Sequence, residues 1–340
     1  MGSNINIRFA EVPRFTPGDP AALEFLDQQG YVVFAEALSA RQAHTALHKI
    51  WDYLEQLGTG INRDDPTTWD NDRWPTAVHG GILPSHGIGH SDAQWYIRDV
   101  GQVQQCFAQV WGTDELLVSF DGVSVWRPWG QQDHWRTNDG NSWLHIDQHP
   151  IGRPGKHCIQ GLVNLLESSP ETGGNVVVPG SHQLFDHIPD LYKDRLARIH
   201  PSIDHFRFPH DDPGLQGYEP IMAHLYPGDL LLWDSRTIHC SAPATTSPKT
   251  DGVLRAASLV CMMPREKSNA AVIEQRKAAV NTLTSTTNWS DRFINADQFP
   301  QIMAVADRDK FIWPQPPELN LNQLKMVGWT EDELAASPLQ

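Results

Sequence analysis

The middle of the chain is a series of short β-branched and aromatic segments, each interrupted by Gly, Pro or Asp. From Leu116 onward, no long helical period separates most of these segments. The strand candidates are residues 116–126, 143–147, 157–166, 175–178 and 229–233. This pattern predicts an antiparallel sandwich or barrel and disfavours a fold of alternating strands and helices.

The residues before this region carry helix signals. Asp19 and Pro20 predict the start of a helix over 21–29 that Gly30 ends, followed by a strand over 31–34. Ser39 predicts the cap of a second helix and Ser91 that of a third, with a fourth through 103–111. We expect one domain over 1–340, with a helical part over about 1–115, a barrel over about 116–264 and a helix and loop extension over about 265–340.

Charge and composition restrict the class of partner. The 340 residues have a formal net charge of −15, which disfavours nucleic acid, anionic membranes and polyphosphates and leaves a small-molecule substrate. No segment resembles a secretion signal or a membrane span, so we expect a cytoplasmic protein. The four cysteines are far apart, which is typical of buried thiols and not of a zinc ribbon. The oligomeric state is open, and a homodimer is compatible with the sequence.

The strongest local signal is the segment Trp143-Leu144-His145-Ile146-Asp147. Because side chains alternate along a strand, His145 and Asp147 share one face, where an imidazole and a carboxylate can converge on one ion. An H-x-D pair by itself is equally compatible with two polar residues at the end of a strand that bind no metal.

A second histidine strengthens the metal interpretation. Pro227-Gly228-Asp229 predicts a turn, an apolar strand follows, and the chain then bends before His239. In a barrel, His239 can return beside His145 and Asp147. Two histidines and one carboxylate form the facial triad of non-haem Fe(II) oxygenases, which leaves three positions open.

Arg255 is the candidate ligand for a co-substrate. It lies in a predicted strand over 253–260, an apolar context that favours a buried anion over a surface ion pair. A guanidinium can clamp the distal carboxylate of 2-oxoglutarate with two hydrogen bonds, and Ser241 can add a hydroxyl. Arg236 competes for this role, but it precedes His239 and falls in the bend.

At this point the sequence resembles the phytanoyl-CoA dioxygenase-like family of Fe(II)/2-oxoglutarate-dependent oxygenases. The resemblance covers about residues 116–264 and rests on His145-x-Asp147, Gly173-Gly174-Asn175-Val176-Val177-Val178-Pro179-Gly180-Ser181-His182, Gly228-Asp229 leading to His239-x-Ser241, and Arg255-x-x-Ser258. It implies a double-stranded β-helix (a cupin-like jelly roll), Fe(II) held by His145, Asp147 and His239, and 2-oxoglutarate clamped by Arg255 with Ser241. One departure is that Arg255 lies farther beyond His239 than is usual in the family, with residues 246–252 interpreted as a hairpin insertion.

Several weaker candidates surround this set. We considered Gln94, Arg98, Arg127 and Gln160 as substrate contacts, and each is equally compatible with a role outside the pocket. His182 is expected in a structural turn, and His149 in a position behind the metal ligands. The loop from His79 to His90 holds three histidines among glycines, and we interpret it as a substrate-side lid in preference to a second metal site.

These features predict a Fe(II)- and 2-oxoglutarate-dependent dioxygenase that uses O₂ to oxidise a small metabolite by hydroxylation, desaturation or cyclisation. An amino acid, another small carboxylate or a natural-product intermediate is the favoured substrate. We expect no catalytic residue beyond the metal centre. The alternatives are a cupin-like metal enzyme that does not use 2-oxoglutarate and a catalytically silent partner subunit of the same fold.

Overall fold

Two β-sheets pack face to face in the computed structural model, which describes residues 7–79, 81–137, 143–209, 212–246, 250–294 and 310–336. The strands are β1 (Arg8–Ala10), β2 (Arg14–Phe15), β3 (Tyr31–Phe34), β4 (Ile82–Leu83), β5 (Leu116–Val118), β6 (Val123–Trp126), β7 (His145–Asp147), β8 (Ile159–Asn164), β9 (Gly173–Val177), β10 (His205–Arg207), β11 (Ile221–Ala223), β12 (Leu230–Asp234), β13 (His239–Pro243), β14 (Arg255–Leu259) and β15 (Met262–Pro264).

One sheet has six strands in the order β1-β11-β9-β13-β7-β10, and the other has seven in the order β2-β3-β12-β8-β14-β6-β4. Strands β6, β7, β8 and β9 alternate between the two sheets, and so do β11, β12, β13 and β14. This alternation produces the double-stranded β-helix, or cupin-like jelly roll, that the sequence predicts. Leu162 and Leu231 of one sheet meet Val177 and Ile221 of the other in the core between them.

Helices cover the outside of the sheets. They are α1 (Ala21–Gln29), α2 (Ala40–Gln56), α3 (Asp92–Arg98), α4 (Gly101–Trp111), α5 (Ile188–Leu191), α6 (Lys193–Leu196), α7 (Ala270–Thr282), α8 (Leu321–Val327) and α9 (Glu331–Ala336). Apolar residues of α2 and α4, such as Ile50 and Phe107, pack in one core with Leu230 of β12. The N-terminal and C-terminal helices therefore flank the β core.

The helix ends follow their capping residues. Ser39 and Gln42 form a reciprocal capping box at the start of α2, and Ser91 accepts a hydrogen bond from the Gln94 backbone at the start of α3. Gly30 ends α1 with φ 76°, and a Cβ there would lie 2.5 Å from both His182 and Thr237. A residue without a side chain is therefore required at this junction between α1 and β3.

The structure also corrects parts of the strand prediction. Residues 116–126 form two strands, β5 and β6, instead of one, and β14 begins at Arg255 instead of residue 253. The short strands β1, β2, β4, β10, β11, β13 and β15 were not predicted. Residues 246–252, interpreted as a hairpin insertion, lie in part outside the described residues. Within the described part of the chain, no helix is long and apolar enough to cross a membrane.

Candidate metal centre

Strands β7 and β13 bring the predicted metal ligands together. They pair in antiparallel register with His239 opposite His145, and the two ring centroids are 4.4 Å apart. The Asp147 carboxylate lies beside both rings, with Oδ1 3.6 Å from Nε2 of His145 and Oδ2 3.4 Å from Nε2 of His239. Adjacent ligands of an octahedral ion with bonds of about 2.1 Å are about 3 Å apart, so these three groups need only small movements to share one ion.

Backbone hydrogen bonds fix the orientation of both histidines. Nδ1 of His145 lies 2.7 Å from the carbonyl oxygen of Trp143, and Nδ1 of His239 lies 2.9 Å from that of Thr237. A carbonyl can only accept, so each Nδ1 carries the proton and each Nε2 presents a lone pair toward Asp147. Metal-bound histidines are usually held by this kind of bond.

The electrostatics favour the protonation states that a metal requires. Burial lowers the pKa of His145 to about 4, which keeps the imidazole neutral. Burial raises the pKa of Asp147, but the surrounding imidazoles, including His205 as a hydrogen-bond donor, outweigh burial and hold this pKa well below its ordinary value. Neutral imidazoles beside an ionised carboxylate form a ready set of metal ligands.

Two further side chains reach the Asp147 carboxylate. Gln160, on β8 of the opposite sheet, donates from Nε2 to Oδ2 over 3.2 Å. The sequence indicated Gln160 as a substrate contact. In the structure, Gln160 instead contacts a predicted metal ligand. His205, on β10, places Nδ1 3.4 Å from Oδ1.

Sequence reasoning missed His205. Its strand β10 has three residues and pairs with β7, so that His205 lies opposite Asp147. In the described part of the chain, His145, Asp147 and His205 form a group whose ligand atoms lie within 4.8 Å of one another. The only signal in the sequence was the alternation His205-Phe206-Arg207, which is too short to identify a strand.

Arg255 projects toward the same space. Register pairs Ala257 with Asn164 and Leu259 with Leu162, and side chains alternate along each strand, so Arg255 and Gln160 share one face of the seven-stranded sheet. Gln160 touches Asp147, which identifies this face as the one toward the metal site.

Arg255 is 3% exposed, and its guanidinium lies 4.6 Å from the ring centre of Trp126. Burial lowers its pKa to about 10, and its Nε has no hydrogen-bond partner among the described residues. A buried cation in this state fits an anionic ligand. Its competitor Arg236 forms two hydrogen bonds to the Asp234 carboxylate, at 2.9 and 2.7 Å, so Arg236 is already neutralised.

Ser241 lies two residues after His239 on β13, and alternation places both side chains on one face of the strand. The Ser241 carbonyl accepts a hydrogen bond of 3.1 Å from the Trp143 indole. The Trp143 ring in turn stacks on His145 at 4.6 Å with an interplanar angle of 16°. Trp143 therefore connects the predicted co-substrate residue to a predicted metal ligand.

Three predicted substrate contacts have structural roles instead. Gln94 is fully buried and donates to the carbonyls of Asp121 and Gly122 at 2.7 and 2.8 Å. Arg98 is also fully buried and donates to the carbonyls of Gly89 and Asp121.

Arg127 donates to the Trp69 carbonyl and to the Asn71 side chain, and lies between the rings of Trp74 and Trp135. All three side chains bind backbone or loop groups, and none of these hydrogen bonds is to a predicted metal ligand. The sequence could not separate them from pocket residues, because a polar residue on a short helix or strand end is compatible with either role.

The histidines of the 79–90 loop do not converge on one point. The His79 ring stacks on Trp143 at 4.3 Å, beside the metal site, with a backbone φ of 50°. His86 packs against Phe311, and His90 donates one hydrogen bond from Nε2 to the Thr284 carbonyl. Gly80 of this loop lies outside the described residues.

The two remaining histidine candidates are structural. Nε2 of His182 bonds the Asp27 carbonyl at 2.9 Å, as expected for a turn residue. Nδ1 of His149 accepts from the backbone of Ile151 and Gly152, so it supports the turn after β7 instead of the metal ligands.

Comparison with known proteins agrees with this geometry. The family model described as phytanoyl-CoA dioxygenase (PhyH) matches residues 26–250, about two thirds of the chain. The chain is 29% identical over 275 residues to "Ava biosynthesis cluster protein O" of Aspergillus versicolor, covering 78% of this chain and 85% of that protein. It superposes on the crystal structure of a hypothetical protein, JW0805, from Escherichia coli with a TM-score of 0.57 and 15% identity, over 94% of this chain and 86% of the other. The chain therefore belongs to the phytanoyl-CoA dioxygenase (PhyH) family, as its motifs indicated, and is an oxygenase-type enzyme.

Proposed function

We propose that this enzyme is a Fe(II)- and 2-oxoglutarate-dependent dioxygenase that oxidises a small organic molecule. His145, Asp147 and His239 supply two neutral imidazoles and one carboxylate, the ligand set suited to Fe(II) with three positions left open. The 2-oxo acid end of the co-substrate would occupy two of these positions when the metal is bound. The third would remain for O₂.

The observation that carries the proposal is the buried Arg255 guanidinium. It shares the inner face of its sheet with Gln160, which contacts Asp147, and it has no carboxylate partner among the described residues. The two carboxylates of 2-oxoglutarate fit this arrangement, since one end chelates the metal while the other pairs with Arg255. Without an acidic co-substrate, this buried cation would face the metal site with no anion to pair with.

The overall reaction balances. 2-Oxoglutarate, O₂ and a substrate C–H bond give succinate, CO₂ and a hydroxylated product, with one oxygen atom entering succinate and the other the product. Bound Fe(II) supplies the redox chemistry that lets O₂ react with a closed-shell substrate. Loss of two hydrogen atoms, by desaturation or ring closure, uses the same oxidant and releases water.

The chain's own residues bind and orient the reactants. Trp143 covers one face of the His145 ring, and His79 covers the outer face of Trp143, so these aromatic groups limit access of water on that side. Arg255 and Ser241 determine how far the co-substrate extends from the metal. We propose that the loop containing His79 forms the substrate side of the cavity.

The substrate is proposed to be a small metabolite, with a natural-product intermediate or a small carboxylate favoured. The Aspergillus versicolor relative is named for a biosynthesis cluster, which supports this class. A CoA thioester carries several phosphates that call for clustered Lys and Arg, and the net charge of −15 argues against it.

The test is succinate release. Anaerobic protein is loaded with Fe(II), mixed with 2-oxoglutarate and O₂, and screened against natural-product intermediates, amino acids and other small carboxylates. A substrate that increases succinate formation in step with its own oxidation supports the proposal. Substrate oxidation that proceeds equally without 2-oxoglutarate contradicts it.

One observation favours a second candidate, a cupin-like enzyme that does not use 2-oxoglutarate. His205 offers a third imidazole at Asp147, and a site of three histidines and one carboxylate leaves only two open positions. That number is insufficient for bidentate 2-oxoglutarate and O₂ together. Against this candidate, His239 is 4% exposed and anchored through Nδ1, whereas the His205 side chain is 40% exposed and has no anchor on its other nitrogen among the described residues.

A further inference from the structure

The Asp147 carboxylate is contacted at both oxygens by side chains from two different strands. Gln160 of β8 donates to Oδ2, and His205 of β10 approaches Oδ1 through Nδ1. Each oxygen also faces one of the predicted metal-binding imidazoles, His145 at Oδ1 and His239 at Oδ2. The carboxylate is thus surrounded by four nitrogen atoms.

We propose that Gln160 and His205 are positioning residues that clamp the Asp147 carboxylate and thereby set the affinity of the site for its metal ion. The inference rests on the proposed function, because it takes Asp147 as a metal ligand. Gln160 and His205 would touch neither the substrate nor the metal. They act through Asp147.

The geometry of the three strands supports the clamp. Strands β7 and β10 are neighbours at the edge of the six-stranded sheet, and their register sets His205 directly opposite Asp147. Cross-strand partners on one face have Cβ atoms about 5 Å apart, so this contact follows from the strand pairing. Gln160 approaches from the opposite sheet, and the carboxylate is therefore held from two directions.

The clamp restricts how the carboxylate can rotate. Two donors on different oxygens oppose rotation about the Cβ–Cγ bond. A carboxylate held at only one oxygen can still rotate about this bond. Hydrogen bonds to the ionised form also keep Asp147 deprotonated, as a metal ligand must be. A preoriented anion binds its ion without an additional ordering cost.

The chemistry of each donor suits this role. The Gln160 amide is 4% exposed and carries no charge, so it can approach Asp147 without competing with the metal as a cation would. His205 must carry its proton on Nδ1 to donate to Oδ1, which leaves Nε2 on the far side of the ring. Partners of this kind around metal sites typically change metal affinity 10- to 100-fold when removed.

The test uses anaerobic Fe(II) titrations of the full-length protein in the absence of 2-oxoglutarate. Gln160→Leu and His205→Leu are each expected to weaken Fe(II) binding about 10- to 100-fold. Gln160→Glu, which replaces the donor with an acceptor of the same shape, is expected to alter binding differently from Gln160→Leu by placing a second carboxylate beside Asp147. Gln183→Leu, at an exposed glutamine far from the ligands in sequence, is the control and is expected to bind Fe(II) like the wild type.

A conservative variant distinguishes positioning from ligation. The amide nitrogen of asparagine occupies about the position of Nδ1 of histidine, so His205→Asn keeps a donor to Oδ1 but is a poor iron ligand. We expect His205→Asn to restore Fe(II) affinity to within a few-fold of the wild type. Loss as severe as that of His145→Ala would instead identify His205 as a fourth ligand and overturn the inference.

Folding and the proposed function are controlled separately. Circular dichroism and thermal unfolding establish that each variant is folded before titration. If the wild type binds no Fe(II), the proposed function fails. If the wild type binds Fe(II) and the folded leucine variants bind it equally well, the clamp alone is refuted.

Discussion

His239 lies directly opposite His145 on the neighbouring strand, although 94 residues of sequence separate them. Their ring centroids are 4.4 Å apart, and each Nδ1 is bound to a carbonyl two residues earlier in its own chain segment. The two imidazoles are therefore oriented by the same local geometry, repeated on two strands. Strand pairing then brings the two copies together.

The first prediction concerns these two imidazoles. Replacing either His145 or His239 by Ala removes one of the three proposed metal ligands, so we expect Fe(II) affinity to fall by more than the 10- to 100-fold typical of residues that only contact a ligand. Anaerobic Fe(II) titration measures the effect. His182→Gln is the matched control, because His182 is a buried histidine that bonds the Asp27 carbonyl. Equal loss of iron in the control would indicate a general folding defect.

The second prediction concerns Arg255. Charge-assisted hydrogen bonds contribute about 1.5–3 kcal/mol, so Arg255→Gln is expected to raise the Kd for 2-oxoglutarate about 10- to 100-fold while Fe(II) binding persists. Calorimetric titration of 2-oxoglutarate into the anaerobic Fe(II) protein measures it. Arg236→Gln is the control, since Arg236 is paired with Asp234. Unchanged 2-oxoglutarate affinity in Arg255→Gln would contradict the assignment of Arg255 to the distal carboxylate.

The third prediction concerns pH and His224, which lies between Glu11 and Glu167. Burial lowers the pKa of His224, but hydrogen bonds to both carboxylates outweigh burial and raise it above its ordinary 6.5. A raised pKa in the folded state means that the stabilisation is complete below about pH 6.5 and is lost as the pH rises through the folded value. The two carboxylates are 71% and 56% exposed, so we expect about 1 kcal/mol or less.

Urea unfolding of the wild type and of His224→Gln at pH 5.5 and pH 9 measures this effect. Subtracting one protein from the other removes the contributions of all other titrating groups. We expect the wild type to have the larger free energy of unfolding at pH 5.5 and this advantage to shrink at pH 9. An advantage that grows with pH would mean that the histidine is neutral in the folded protein.

The sequence identified side chains that the structure brings together, because part of their signal is local. Side-chain alternation along a strand places His145 and Asp147 on one face independently of the rest of the fold. The family motifs indicate His239 as a candidate metal ligand and Arg255 as a candidate co-substrate residue. Helix ends were predicted for the same reason, since Ser39 and Gly30 determine them through contacts within a few residues.

What was missed depends on distant contacts. His205 lies 58 residues after Asp147 in the sequence and reaches it only because β10 pairs with β7 at the edge of the sheet. A strand of three residues has no periodicity that would reveal it in the sequence. Gln160 was interpreted as a substrate contact because no local sequence pattern shows which polar group of the opposite sheet the Gln160 side chain contacts. Gln94, Arg98 and Arg127 were misassigned because the backbone carbonyls that they bind lie on other elements.

The last prediction tests that correction at Arg98. Its guanidinium is fully buried, burial lowers its pKa to about 9, and it donates to the carbonyls of Gly89 and Asp121. Arg98→Met fills similar space but leaves both carbonyls without these donors, and we expect a loss of about 2–4 kcal/mol in the free energy of unfolding. In the folded protein, the Kd for 2-oxoglutarate and the KM for the substrate should remain within about two-fold of the wild type. A variant with unchanged stability and a strongly raised KM would instead restore Arg98 as a substrate contact, because only a side chain that reaches the pocket can alter KM without altering unfolding.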